Sequence, residues 1–125
     1  MKTTWVTMTA SFALIAGSAM AEEVRVYNWS DYIDEELLTK FEEETGIDLI
    51  YDVFDSNEVL ETKMLAGGSG YDVVVPTGTF LQRQISAGAF QKLDKAQLPN
   101  IENMWDVVST RTDKYDPGGE YAINY

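Results

Sequence analysis

Between Val24 and Ser86 two kinds of patterning take turns along the chain. Short runs with period-two alternation are followed by longer runs whose apolar residues recur every three or four positions. Val24-Arg25-Val26-Tyr27-Asn28-Trp29 alternates β-branched or aromatic residues with polar ones and predicts a strand. A helix is predicted next. Asp34 is its N-cap, and Glu35 and Glu36 sit in the first turn, where the helix dipole favours anions. Leu37, Leu38 and Phe41 form its apolar face, and Gly46 ends it as a left-handed cap.

The cycle repeats twice. Leu49-Ile50-Tyr51-Asp52-Val53-Phe54 predicts a second strand. Asp55, with Glu58 three residues on, resembles a capping box opening a second helix striped by Val59, Leu60, Met64 and Leu65 and stopped by Gly67-Gly68. Tyr71-Asp72-Val73-Val74-Val75 predicts a third strand ended by Pro76, its valine run suited to burial on both faces. A third helix, capped by Thr79 or a neighbour, carries Phe80, Leu81, Ile85 and Ala87 and ends at Gly88. Strand–helix–strand at this spacing predicts parallel strands with right-handed crossovers, hence an α/β sheet covered on both sides.

Beyond Gly88 the pattern weakens. A short helix over 94–98 ended by Pro99, a helical segment over 104–110, a turn at Asp116-Pro117-Gly118-Gly119 and an extended run from Glu120 to Tyr125 are expected. At the other end, Lys2 precedes an apolar run over 5–16 that is too short to span a bilayer. Small residues follow, and Ala19-Met20-Ala21 fits the pattern cut by signal peptidase. Residues 1–21 are therefore expected to be a cleavable signal peptide, with Glu22 starting a periplasmic mature chain.

Composition narrows the chemistry. In 125 residues there are 21 acidic and 9 basic side chains, a formal charge of −12, which argues against nucleic-acid binding because phosphate recognition needs a basic surface. Cysteine and histidine are both absent. That removes disulfides, thiolate nucleophiles, Fe–S clusters, imidazole metal sites and Ser-His-Asp triads. Carboxylate-only chemistry survives.

In open α/β sheets ligands bind beyond the carboxyl ends of the strands, where the strand order reverses. The residues just past each predicted strand are Trp29-Ser30-Asp31-Tyr32, Asp55-Ser56-Asn57 and Pro76-Thr77-Gly78-Thr79. These offer aromatic faces, hydroxyls and carboxylates and no basic side chain, a set that suits an alkylammonium better than an anion. Each also has a plain structural use. Trp29 suits core packing at a strand end, Asp31 and Asp55 suit caps or solvated loops, and Thr77 and Thr79 suit the cap of the third helix. The Glu42-Glu43-Glu44 run reads as an exposed helix face, and Gly67-Gly68-Ser69-Gly70 as a connector that lacks the lysine of a phosphate-binding loop.

The blocks Val26-Tyr27-Asn28-Trp29-Ser30-Asp31-Tyr32-Ile33 and Tyr51-Asp52-Val53-Phe54-Asp55-Ser56-Asn57-Glu58 together resemble the periplasmic polyamine-binding proteins, the solute receptors of ABC importers. The likeness continues through Tyr71-Asp72-Val73-Val74-Val75-Pro76-Thr77, Phe90-Gln91-Lys92-Leu93-Asp94 and Tyr121-Ala122-Ile123-Asn124-Tyr125. It is nearest the putrescine type. The resemblance implies a two-lobe receptor that clamps its ligand at a hinge. Residues 22–125 would then be the N-terminal part of lobe 1, a mostly parallel sheet flanked by helices and ending before the second lobe. It implies that Trp29, Ser30, Asp31, Tyr32 and Thr77 line the amine pocket, with Thr79 an outer contact; the family usually has Ser at the position of Thr77. It further implies no catalysis, no cofactor and no metal, a monomer, a small cationic polyamine as ligand and an inner-membrane ABC permease as partner. A receptor for another organic cation or a short peptide is the alternative, and a carboxylate-dependent hydrolase, using Asp31 with Asp34 or the triple Glu, a remote one.

Overall fold

The computed structural model describes residues 22–124, so the signal-like segment 1–21 and Tyr125 lie outside the described residues. Strand β1 (Glu23–Trp29) leads to helix α1 (Glu35–Thr45), β2 (Asp48–Phe54), α2 (Asn57–Leu65), β3 (Val73–Val74) and α3 (Gly78–Ser86). Two 3-10 turns, Lys95–Gln97 and Pro99–Asn103, and helix α4 (Asp106–Thr112) follow. The three strands are parallel in the order β2-β1-β3. The α/β reading therefore holds, and β1 is the central strand.

The termini of α1 form as expected. Asp34 accepts from the Glu36 N–H at 3.1 Å, and Gly46, at φ 71°, closes the helix with its N–H on the Glu42 carbonyl. The second cap is displaced by one residue: Ser56 Oγ, not Asp55, accepts from the Val59 N–H. The third helix starts before Thr79, which lies in its first turn. Thr77 takes the N-cap position, and its hydroxyl makes no capping bond.

Two-residue alternation sends Tyr27 and Trp29 of β1, with Phe54 of β2, to one face of the sheet. There Tyr27, Phe54 and the fully buried Leu60 of α2 make the core, joined by Trp29, Met64, Tyr71 and Val74. The rings form a column. Tyr71 stacks flat on Tyr27 at 4.6 Å, Tyr27 meets Phe54 at 4.8 Å, and Phe54 meets Trp29 at 4.6 Å, the last two tilted. At the open end of the column Lys63 Nζ lies 4.6 Å from the Tyr27 ring centre and donates to the Tyr71 hydroxyl, which in turn donates to Asp52 at 2.6 Å. The bond to Tyr71 raises the Lys63 pKa, and the bond to Asp52 raises that of Tyr71. Arg83 of α3 grips Glu61 of α2 with two N–H groups, at 3.0 and 2.5 Å, tying the helices together.

The opposite face is less covered than the patterning implies. The valine run was expected to be buried on both sides, yet β3 is two residues long and sits at the sheet edge, with Val73 49% exposed; Val53 of β2 is 53% exposed. Backbone bonds from Asp72 to Arg25 and from Val75 to Tyr27 extend the β1–β3 pairing beyond the strand itself. Helix α1 packs beside β2 but buries none of its residues, so Leu37 and Phe41 stay exposed, as do Val59 and Leu65 of α2. Apolar periodicity marks a face able to be buried; no described element lies over these residues to bury it.

The C-terminal quarter is organised by one acid. Asp116, 2% exposed, accepts from the N–H groups of Glu120, Tyr121 and Ala122 at 3.2, 2.8 and 2.9 Å, closing the Pro117-Gly118-Gly119 turn. Pro99 opens the second 3-10 turn rather than only ending the first. The segment after Gly119, expected to be extended, bends at Glu120 and Tyr121 and joins no strand. Besides Asp116 it is held by the Leu93 N–H on the Glu120 carbonyl, the Lys92–Glu120 ion pair at 2.7 Å and the Asn124 amide N–H on the Val108 carbonyl at 3.4 Å.

Candidate functional site

From β1 the chain moves outward to β2, then crosses back over β1 to β3. The strand order therefore reverses between β1 and β3, and loops leaving those strands diverge to leave a crevice at their carboxyl ends. Trp29, the last residue of β1, bridges that crevice: its indole N–H donates to the Val75 carbonyl at 2.9 Å. The ring is both core and rim, packed on Phe54 within and 6.3 Å from the Tyr32 ring without. Tyr32 is 62% exposed.

Asp31, between Trp29 and Tyr32 in the chain, has φ 58° and is the one non-glycine residue with positive φ among the described residues. Aspartate tolerates the left-handed region better than most residues, but such a conformation still stores strain, and strain of this kind gathers at binding sites. The tight turn exposes the Asp31 carboxylate, which has no hydrogen-bond or ion-pair partner among the described residues. Ser30 is held from two sides. Its N–H donates to the Phe54 carbonyl at 3.2 Å, and its hydroxyl donates to Asp55 Oδ1 at 2.7 Å.

Across the crevice the loop after β3 is tied to α2 by the Thr77 N–H, which donates to Asn57 Oδ1 at 3.0 Å. Thr77 and Thr79 are exposed, one at the N-cap and one in the first turn of α3. The sheet edge thus gathers Trp29, Ser30, Asp31 and Tyr32 on one side and Thr77 and Thr79 on the other. Two further residues join this edge that the pattern did not single out as site residues. Asp55, read as a cap or a solvated acid, is freed from capping by Ser56 and engages Ser30 instead. Tyr115, thirty-eight positions beyond Thr77, lays its ring on the Gly78 backbone so closely that a Cβ there would fall 2.3 Å from two ring carbons. Lys114 Nζ lies 5.2 Å from the centre of that ring. Register places Asp55 beside Ser30, because Trp29 pairs with Phe54; no local signal announces Tyr115.

The site is an open wall. The hollows of about 250 and 500 Å³ found among the described residues are lined by 97–101 with Met104 and Ile123, and by 92–96 with 117, 118 and 120. Neither includes a candidate residue. Among the described residues no three His, Cys, Asp or Glu side chains cluster as metal ligands, and no helix is long and apolar enough to cross a membrane. Chemically, this edge presents one carboxylate without a partner among the described residues, one hydroxyl bound to a second carboxylate, two aromatic faces and two further hydroxyls. Such a set has the chemistry to suit a hydrogen-bond-donating cation.

No family model matches the chain. Individual proteins do. It is 54% identical over 119 residues to the putrescine-binding periplasmic protein SpuD of Pseudomonas aeruginosa, an alignment covering 95% of this chain and 32% of that protein. It is 48% identical over 118 residues to the putrescine-binding periplasmic protein PotF of Escherichia coli, again covering 32% of the relative. Over the aligned residues the chain is similar to periplasmic polyamine-binding proteins. Solved structures agree on the fold. The spermidine/putrescine substrate-binding protein PotD of Streptococcus pneumoniae superposes with a TM-score of 0.76 at 38% identity, over 82% of this chain and 31% of that one. The Tp0655 (TpPotD) lipoprotein of Treponema pallidum gives 0.78 at 35% identity over 83% of this chain. The chain spans about a third of the length of the polyamine-binding relatives it matches.

Proposed function

We propose that this chain is the N-terminal part of lobe 1 of a two-lobe periplasmic receptor that captures a polyamine, putrescine foremost, and hands it to an inner-membrane ABC permease. The observation that carries the reading is the exposed Asp31 carboxylate, which has no hydrogen-bond or ion-pair partner among the described residues and sits on a left-handed backbone next to Tyr32 in the chain. An alkylammonium docks on such a group through charge-assisted hydrogen bonds while its methylene chain lies on the aromatic faces. The Thr77 and Thr79 hydroxyls accept from the same ligand across the crevice. The relatives named for putrescine binding, at 48–54% identity, support the same ligand class.

The open edge fits one wall of a cleft whose opposite wall comes from another lobe. Closure by hinge motion then completes the pocket, and the ligand leaves unchanged, so the receptor acts as a monomeric carrier and not an enzyme. Residues 1–21 direct export and are removed before Glu22. Titration calorimetry of the full-length gene product with putrescine and spermidine tests the reading. Saturable binding of at least one is expected; no binding to any diamine or polyamine overturns it.

A further inference from the structure

We propose that Asp55 is a positioning residue for the ammonium site, acting through the Ser30 hydroxyl. A serine hydroxyl has one proton to donate and two lone pairs to accept with. Here the proton is committed: Ser30 Oγ lies 2.7 Å from Asp55 Oδ1, the length of a bond strengthened by a charged acceptor. Only lone pairs are left to face the crevice, and an ammonium, which has donors and no acceptor, is the partner they fit. Without Asp55 the hydroxyl rotates freely and offers its own proton toward the ligand for part of the time, which repels a donor.

The geometry around the pair argues against a merely structural role. Asp55 does not cap α2, since Ser56 Oγ accepts from the Val59 N–H. Asp55 is exposed, so the fold does not need its carboxylate to satisfy a buried donor. Ser30, by contrast, is pinned through its N–H to the carbonyl of Phe54, the residue just before Asp55. The carboxylate and the hydroxyl thus hold one register, on adjacent strand ends, one residue from Asp31.

This inference rests on the polyamine-receptor reading and deepens it. The experiment is a double-mutant cycle on the full-length gene product, using Asp55→Asn, Ser30→Ala and the pair, with putrescine affinity measured by calorimetry and thermal midpoint by circular dichroism. Asp55→Asn is expected to weaken putrescine about tenfold and to leave the thermal midpoint unchanged. In the Ser30→Ala background the same change is expected to cost less than about twofold, because the hydroxyl it orients is gone. A full tenfold cost in that background means Asp55 acts as a direct counter-charge and overturns the proposal. So does an Asp55→Asn protein that binds like wild type, or one whose lost affinity tracks a lowered midpoint. Absence of any saturable amine binding by the wild-type protein overturns the receptor reading and the proposal together; binding with independent costs overturns the proposal alone.

Discussion

Replacing Asp31 by asparagine separates charge from backbone at the centre of the site. Asp31 sits at φ 58°, a region asparagine enters about as readily as aspartate, so the turn after β1 survives the change. Only the negative charge is removed, and with it the charge-assisted bond proposed between this carboxylate and an ammonium. For unit charges about 4 Å apart at a partly exposed edge, Coulomb's law gives between roughly 1 kcal/mol in bulk water and 4 kcal/mol at an effective dielectric of about 20. Hydrogen bonds to charged groups fall within the same span, about 1.5–3 kcal/mol. Asp31→Asn should therefore weaken putrescine about 10- to 100-fold, with stability within about 0.5 kcal/mol of wild type. Asp31→Ala loses the same charge and must also hold alanine in the left-handed region, at a further cost of about 1–2 kcal/mol in stability. Asp31→Gly loses the charge without that penalty. Calorimetry and thermal melting on the full-length gene product read the two effects independently. If Asp31→Asn binds putrescine within about twofold of wild type, the assignment of this carboxylate to an ammonium is wrong. If Asp31→Ala melts like Asp31→Gly, the backbone argument is wrong instead.

Two further outcomes follow from the packing. Glycine to alanine at the start of a helix ordinarily gains up to about 1 kcal/mol, but at Gly78 the new methyl would meet the Tyr115 ring at 2.3 Å, an overlap that costs about 1–3 kcal/mol. Gly78→Ala should lower the urea midpoint, and adding Tyr115→Ala should cancel that loss; a destabilisation that persists without the ring would show that the clash is not its cause. Folding raises the pKa values of both Lys63 and Tyr71, so it favours their protonated forms. Their contribution is complete below about pH 10 and is lost as pH climbs through the raised values, so the thermal midpoint should fall above about pH 10. Tyr71→Phe, which removes the titrating hydroxyl, should blunt that fall, and an unchanged alkaline profile in the variant would refute the link.

Local chemistry was readable where a residue's partner lies within a few positions. Asp34 and Gly46 end α1 as their neighbours dictate, because caps bond the nearest turn of backbone. The same logic slipped by one residue at α2, since Asp55 and Ser56 both have capping oxygens, and in the fold Ser56 caps while Asp55 accepts from Ser30, a partner distant in the chain. The candidate edge was legible for a topological reason: residues at the carboxyl ends of parallel strands converge whatever the side chains are. That argument points to the residues past all three strands, Trp29 to Tyr32, Asp55 to Asn57 and Pro76 to Thr79, and the resemblance narrows them to Trp29, Ser30, Asp31, Tyr32, Thr77 and Thr79; neither says which of them is committed elsewhere. Burial was misjudged where it depends on a neighbour: the valines of 73–75 and the apolar face of α1 have the pattern of buried surface, and the described chain leaves much of it open.

By itself, then, the sequence determined the alternation of strand and helix, the absence of thiol, imidazole and basic chemistry at the strand ends, and the aromatic, hydroxyl and carboxylate character of the edge. These depend on residue type and short-range spacing. The order β2-β1-β3, the left-handed turn at Asp31, the transfer of Asp55 from helix cap to Ser30 and the arrival of Tyr115 on Gly78 were decided only in three dimensions. Each of these joins groups or sets an angle through contacts made after the chain has crossed itself, and no periodicity along the chain encodes a meeting between segments that are distant in it.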